Sequence, residues 1–226
     1  MFQITYLLLV LVLFSPSLLK AKEMAVAQKT EAKTTLYKYA DRTDHTVSET
    51  TSHLGFLYAF SWGLYYVTQP DTISDNGSSQ NYKKNFGKTV LYDRDRSVWN
   101  WMVHPFSGSQ TYLYYRAAGY KRPEAFKLTF LQSALFEYTA EILTEPASFE
   151  DLFNTPVLGS TLGVFLEGVT MDFINNGSPV LKVIGHVLNP ATLLFFYEGR
   201  IRVTPKVSEK TFSQAKTLGL SVSVDL

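Results

Sequence analysis

The sequence predicts a mainly α protein: a compact bundle of five to seven helices followed by a short C-terminal β-hairpin. Residues 51–198 contain segments that are apolar at helical spacing or nearly throughout. Prolines and capping residues in the same range mark several helix starts. Only the last part, residues 199–226, alternates apolar and polar residues with a period of two, which is typical of strands.

The composition excludes several classes of protein. Apolar residues make up 46% of the 226 residues and aromatic residues 15%, so the chain is not intrinsically disordered. The net charge is +1, from 21 basic and 20 acidic residues, and Lys and Arg form no run, so we expect no nucleic-acid partner. The chain has no cysteine, which excludes a disulfide framework and a thiolate metal site.

Residues 1–27 are predicted to be a signal peptide, because "TYLLLVLVLF" has the length of its apolar core. Cleavage would follow Ala21 or Ala27, and the alternative is an uncleaved membrane-proximal anchor. We therefore expect an exported protein that is periplasmic or associated with the bacterial outer membrane. Residues 28–50 are predicted to form a flexible polar leader in which His45 is solvated.

The first predicted helix, residues 53–67, is apolar nearly all round, which indicates a buried or membrane-contacting helix. Gly55, Ala59 and Gly63 form a small-residue stripe that allows close helix approach, and tight packing in a core is the favoured interpretation. Residues 69–88 are rich in turn formers and predict a long loop.

Residues 122–143 predict a helix that begins at Pro123 and is central, because both its faces are largely apolar. Ser148 and Asp151 then have the spacing of a capping box. A further helix start is predicted at residues 154–156, where a proline occupies the first helical position. Gly159, Gly163 and Glu167 share a face of that helix, which is expected to pack closely on a neighbour.

The rest of the chain predicts a short helix broken at Asn189-Pro190 and then two strands, "RIRVTPKV" and "LGLSVSVDL". The strands are expected to pack as a hairpin on the helices, with Leu220, Val222, Val224 and Leu226 on one side. No stretch after the signal peptide reaches about 18 uncharged apolar residues, so no membrane-spanning helix is expected.

An ordered series of short motifs between about residues 55 and 175 resembles an uncharacterised bacterial family, the domain-of-unknown-function family numbered 3943. Phe106 replaces a usual tyrosine, one residue is added before Pro146, and Val164 stands where a glutamate is frequent, so that Glu167 would have to substitute for it. The resemblance implies a helical protein that is exported or envelope-associated, and it implies no activity. The motifs are His104-Pro105-Phe106-Ser107-Gly108-Ser109, Arg116 before Gly119-Tyr120, Phe136-Glu137-Tyr138, Glu145-Pro146-Ala147-Ser148, Asp151-Leu152, Thr155, Gly159 and Gly163.

The polar residues of these motifs allow an enzymatic interpretation. His104 would be the base, and Glu137 or Glu141, four residues apart, its orienting group or acid, since neighbouring buried carboxylates raise each other's pKa. Ser107 or Ser109 would be the nucleophile. Arg116 would then bind an anion. One histidine with two glutamates is too thin a set for a metal site, so we expect neither a metal nor a cofactor.

A structural interpretation explains the same residues without catalysis, and we favour it. Arg116 would neutralise Glu137 or Glu141 in a buried pair, within a network that includes Glu145 and Asp151. Ser107 would cap the tyrosine-rich helix that follows it. His53 and His186 are predicted to be core histidines.

Two functional hypotheses stay open at this stage. The preferred one is a non-enzymatic binding or scaffolding domain near a membrane in the cell envelope. Its partner would be membrane lipid or another envelope protein. The alternative is an envelope hydrolase that acts on lipid or glycan through a His/Glu/Ser site.

Overall fold

A computed structural model of the chain describes residues 37–92, 96–196, 201–209 and 216–224. The predicted signal peptide, residues 28–36 of the leader and Leu226 lie outside the described residues. The helices are α1 (Val47–Thr68), α2 (Pro70–Asn76), α3 (Ser79–Asn85), α4 (His104–Ala117), α5 (Arg122–Thr139), α6 (Phe149–Phe153), α7 (Gly159–Asn175) and α8 (Pro179–Leu188). The strands are β1 (Thr89–Val90), β2 (Ala147–Ser148), β3 (Phe195–Phe196), β4 (Ile201–Glu209) and β5 (Lys216–Val224).

Two π-helical turns extend these helices. One, Trp99–Val103, leads directly into α4, and the other, Asn154–Leu158, joins α6 to α7. Phe149–Asn175 is therefore one continuous helical segment, and with it counted as one, the described helices number seven. The mainly helical prediction is thus confirmed. The helix start predicted at residues 154–156 is wrong, because the π turn accommodates Pro156 without ending the helix.

This continuous segment has the length of a membrane span. By length and composition alone Phe149–Asn175 could cross a membrane, although 39% of its most apolar window is buried within the fold. Because a core helix can meet the same criteria, the absence of a membrane-spanning helix stays a prediction.

Helices α4 and α7 approach each other at a pair of glycines. A Cβ atom on Gly108 would lie 1.7 Å from the carbonyl oxygen of Thr155, and one on Gly159 would lie 2.7 Å from the Cα of Gly108. One helical turn further on, Gly163 lies against the ring of Tyr112. The predicted close packing of the face that holds Gly159 and Gly163 is confirmed.

The most buried helix is α4 rather than the predicted central helix. Its tyrosine-rich part, residues 112–115, forms the centre of the hydrophobic core. Helix α5 is only half-buried, and the side it buries is largely polar, while Phe126 and Phe130 are exposed. Because both faces of α5 are apolar, the sequence pattern could not say which one faces inward.

The predicted loop at residues 69–88 instead contains the short helices α2 and α3. Its turn-forming residues start these helices: Pro70 opens α2, and the side chain of Ser78 caps α3 by accepting a hydrogen bond of 3.0 Å from the backbone N–H of Asn81. After α3, strand β1 pairs in parallel with β2, with Thr89 opposite Ala147. The segment of α2, α3 and β1 therefore packs beside the residues that follow α5 in the sequence.

Residues 37–50, which were predicted to belong to a flexible leader, are attached to the helical core. The backbone N–H of Tyr37 donates to Asn175 Oδ1 at 2.6 Å, and Asn175 Nδ2 donates back to the Tyr37 carbonyl at 2.8 Å. His45 is not solvated: its ring stacks on Tyr120 with 3.7 Å between centroids. Helix α1 then begins after Thr46, whose hydroxyl accepts from the N–H of Glu49.

The predicted C-terminal hairpin is present. Strands β4 and β5 pair antiparallel from Ile201 opposite Val224 to Glu209 opposite Lys216, and β3 adds a third strand beside β4. Strand β4 lies against α1, as expected for a hairpin that packs on the helices.

The glycine contact between α4 and α7 gives a stability prediction. Gly108→Ala should lower the free energy of unfolding by about 1–3 kcal/mol or more, because its Cβ meets backbone atoms that cannot move aside. The matched control is Gly168→Ala in α7, where nothing lies within 4 Å, and it should raise the free energy of unfolding by about 0.5–1 kcal/mol. Chemical denaturation measures both, and equal effects would contradict the tight crossing.

Candidate functional site

The two π turns face each other and bring polar residues together. Asn154 in the second turn donates its side-chain N–H to the backbone carbonyl of Asn100 in the first, at 2.9 Å. His104 directly follows the first turn, Thr155 lies in the second, and Asp151 directly precedes it. Single π turns are frequent at functional sites, because they expose backbone groups and redirect side chains.

His104 lies between a hydroxyl group and a carboxylate. Its Nδ1 is 3.2 Å from Thr155 Oγ1, and its Nε2 is 3.4 Å from Asp151 Oδ1. Asp151 is buried, and Ser148 Oγ donates to its other carboxylate oxygen at 2.7 Å. The same Ser148 hydroxyl accepts from the Asp151 N–H at 3.0 Å, so the N-cap half of the predicted capping box is confirmed. The carboxylate of Asp151 is therefore in contact with His104, and Glu141, one of the two glutamates predicted as its partner, is also near enough for His104 to affect its pKa.

Glu137 and Glu141 are both buried near this contact, with Asp151 close to Glu137 and His104 close to Glu141. The Ser148 backbone N–H points at Glu137 Oε2, 3.4 Å away. Burial raises the pKa of both carboxyl groups; the charge of Asp151 raises that of Glu137 further, and the charge of Glu137 raises that of Glu141 further. We call the set the acid–histidine cluster, and it consists of His104, Glu137, Glu141, Ser148, Asp151 and Thr155.

Arg116 belongs to a different network, which corrects the predicted pairing with Glu137 or Glu141. Its Nε and Nη2 donate to the two carboxylate oxygens of Glu167 at 3.0 and 3.1 Å, and its Nη1 lies 2.7 Å from Asp41 Oδ1. His104 and Arg116 are twelve residues apart on α4, so about 18 Å of helix separates them. The glutamates near His104 are therefore out of its reach, and Glu167 on the crossing helix α7 takes their place.

The predicted serine nucleophiles do not have the positions expected of them. Ser107 lies inside a helix that is already continuous from residue 99, so it is not an N-cap; its carbonyl accepts from the Thr111 hydroxyl at 3.1 Å. Ser109 Oγ donates to the Phe106 carbonyl at 2.6 Å. The hydroxyl beside His104 belongs to Thr155, which sequence reasoning recorded only in the family pattern and as part of a helix start.

The other residues considered in the sequence analysis, Glu145, His53 and His186, lie outside the acid–histidine cluster. Glu145 lines a surface cleft beside Pro146. His53 is buried with its Nδ1 2.8 Å from the Tyr114 hydroxyl, and burial lowers its pKa to about 4, which fits the predicted core histidine. His186 Nδ1 lies 2.7 Å from Thr192 Oγ1 in a half-buried position. Within the part of the chain that the structure describes, no group of three or more His, Asp or Glu side chains could hold a metal ion.

Comparison with known proteins places this site within a matched region. Residues 89–191 match the model of a family described as a domain of unknown function (DUF3943), which confirms the resemblance drawn from the motifs. The matched residues include both π turns, the acid–histidine cluster and the pair formed by Arg116 and Glu167. No curated protein and no solved structure matches the chain.

The raised pKa of Glu141 predicts how stability depends on pH. A carboxyl group whose pKa is raised on folding stabilises the fold below its unfolded pKa, and this contribution is lost as the pH rises through the folded value. Glu141→Gln keeps the shape without a charge, so between about pH 5 and pH 9 its melting temperature should fall less with rising pH than that of the unmodified protein. Glu150→Gln on α6 is the control, and identical pH profiles for all three proteins would contradict the assignment.

The Arg116 network predicts an asymmetry between two substitutions. Glu167→Ala leaves the buried guanidinium with Asp41 as its remaining carboxylate, and it should lower the free energy of unfolding by about 3 kcal/mol. Arg122→Ala removes a side chain that is 59% exposed and contacts the same glutamate at 3.4 Å, and it should change the free energy by less than about 0.5 kcal/mol. Denaturant titration measures the free energy of unfolding of both variants. If Arg116 and Glu167 formed only a surface ion pair, both substitutions would have small effects.

Proposed function

We propose that the protein is a non-enzymatic domain of the cell envelope that binds membrane lipid through outward-facing apolar side chains. The observation that carries the proposal is an inverted distribution of polarity among the described residues. Buried polar and charged side chains are about as numerous as buried apolar ones, while many large apolar side chains are exposed. Water-exposed proteins rarely show large contiguous apolar patches unless these bind something.

Helix α1 exposes one apolar stripe. Phe56, Phe60, Leu64 and Val67 recur at helical spacing, and Phe60 and Val67 are 55% and 74% exposed. The small-residue stripe of this helix is on its open side, because a Cβ atom on Gly55 or Gly63 would meet nothing within 4 Å. The predicted role of that stripe in core packing is therefore wrong, and the residues around it are available to an apolar solvent.

Helix α5 packs beside α1 and, like α1, has large apolar side chains that are exposed. Trp62 and Tyr65 of α1 pack edge-on against Phe136 of α5. The side of α5 that faces inward is largely polar, and its large exposed side chains are apolar. We call the exposed side chains of the two helices the outer apolar face; it consists of Phe56, Phe60, Leu64, Val67, Phe126, Phe130, Leu131 and Tyr138.

A polar interior supports lipid as the partner. Lipid offers no hydrogen bonds, so a protein in contact with it satisfies its polar groups internally. Two buried charges of the described interior are satisfied in this way. The guanidinium of Arg116 donates to two carboxylates and to the Tyr120 carbonyl, and the carboxylate of Asp151 accepts from the Ser148 hydroxyl. The aromatic side chains of the outer apolar face suit the boundary between acyl chains and headgroups. The predicted signal peptide supports export to the envelope, where such a membrane surface is present.

A hydrolase that acts on lipid or glycan is the second candidate, and one observation favours it. The contacts of His104 with Thr155 and Asp151 place a histidine between a hydroxyl and a carboxylate, as in a nucleophile–base–orienter series. In that reading Thr155 would replace the predicted serine. The primary proposal needs no reaction at this site.

Vesicle flotation tests lipid binding. The full chain should float with neutral phosphatidylcholine vesicles, and the double variant Phe60→Ser, Leu64→Ser should bind about thirtyfold more weakly, because two half-exposed apolar side chains no longer enter the acyl boundary. The control is Val47→Ser with Val98→Ser, which removes exposed apolar side chains outside the outer apolar face. If the unmodified protein stays with the soluble fraction, the proposal is wrong.

Measuring the release of fatty acid or sugar distinguishes a hydrolase from the proposed lipid-binding domain. We expect the purified protein to release neither from phospholipid vesicles nor from envelope glycan, as measured by mass spectrometry. Release that disappears in His104→Ala, with the melting temperature unchanged, would instead establish a hydrolase.

A further inference from the structure

A polar cleft of about 500 Å³ lies apart from the acid–histidine cluster, where the segment around α2, α3 and β1 meets the end of α5. Asn85 fixes one wall by donating its side-chain N–H to the Ile142 carbonyl at 3.1 Å. Thr144 fixes the floor through a 2.7 Å contact with the hydroxyl of Tyr65 on α1. The cleft is lined by Thr72, Asn76, Asn81, Lys84, Asn85, Lys88, Val90, Tyr92, Thr144, Glu145 and Pro146.

The charges in this cleft favour an anion. Lys84 and Lys88 both line it, and neither ammonium group forms an ion pair within the described residues. Among the described residues that line the cleft, Glu145 is the one carboxylate, so these residues together carry a net positive charge. The carboxylates of Asp71 and Asp75 on α2 are not part of it. Phosphate is the anion that paired lysines with neighbouring amide and hydroxyl groups bind well.

Exposed apolar side chains neighbour the lining residues in the sequence. Phe86 lies between the two lysines in the sequence and is 65% exposed, and Leu91 and Tyr92 are exposed in the same way. Lysines interleaved with exposed aromatic and aliphatic side chains are typical of surfaces that contact lipid headgroups, where the apolar groups enter the acyl boundary and the ammonium groups stay at the phosphates.

We propose that this cleft binds the phosphate of an anionic phospholipid headgroup, with Lys84 and Lys88 as its ligands and Phe86, Leu91 and Tyr92 in the adjoining acyl boundary. The inference rests on the proposed lipid-binding function and gives it a lipid class. The outer apolar face binds any bilayer, whereas the cleft distinguishes bilayers by the charge of their headgroups.

Quantitative vesicle binding of the full chain tests this assignment. Adding phosphatidylglycerol to phosphatidylcholine vesicles should tighten binding. The double variant Lys84→Ala, Lys88→Ala should bind these anionic vesicles about thirtyfold more weakly than the unmodified protein, about fivefold for each lysine. The same variant should bind neutral vesicles as the unmodified protein does. The matched control is Lys83→Ala with Lys127→Ala, which removes the same charge from exposed positions outside the cleft and should retain most of the gain.

The outcomes separate the two proposals. Binding to neutral vesicles with no gain from phosphatidylglycerol, or an equal loss in both lysine variants, would overturn the cleft while leaving the proposed function intact. No binding to any vesicle would overturn the proposed function. Soluble glycerol phosphate is the third arm: if it shifts the NMR signals of the cleft while vesicle charge has no effect, the site takes a free phosphate compound, and the lipid assignment is wrong.

Discussion

The contact of α4 with α7 at Gly108 and Gly159 is the constraint on which the rest of the described structure depends. Two helices can come so close only where both lack a Cβ atom, and here even one methyl group would overlap the Thr155 carbonyl. This closeness places the π turn before α4 opposite the π turn before α7, so that His104 meets Thr155 and Asp151. Further along the same pair of helices, it brings Arg116 to Glu167. Both polar networks are therefore consequences of one glycine contact.

The two networks also explain why the interior can be so polar. A buried charge is costly unless it is paired and hydrogen-bonded. Arg116 meets this condition through a bidentate contact with Glu167, and Asp151 through the hydroxyl and N–H contacts with Ser148. Because these groups occupy interior volume, large apolar side chains of α1 and α5 are left on the outside. The outer apolar face is thus a consequence of placing polar and charged side chains in the interior.

Local features of this arrangement could be predicted from the sequence, and non-local ones could not. The N-cap contact between Ser148 and the Asp151 N–H depends on residues three apart, and the close packing at Gly159 depends on one helical face, so both could be predicted. The partner of Arg116 depends on which helices cross, and no spacing within one helix specifies that. The sequence also could not predict which side of α5 faces inward, because a helix that is apolar on both faces has no pattern that distinguishes them.

The acid–histidine cluster bears on whether the site performs a reaction. Three carboxyl groups, those of Glu137, Glu141 and Asp151, share a small buried volume with one imidazole, and all three cannot be ionised there at once. Burial and this mutual repulsion raise the pKa of Glu137 and of Glu141, and Asp151 lies 3.4 Å from the imidazole of His104. In this arrangement each group already has a role in balancing the interior. A catalytic acid or base must also exchange its proton with a substrate. The proposed lipid binding relies on surface residues and requires no such exchange by the cluster.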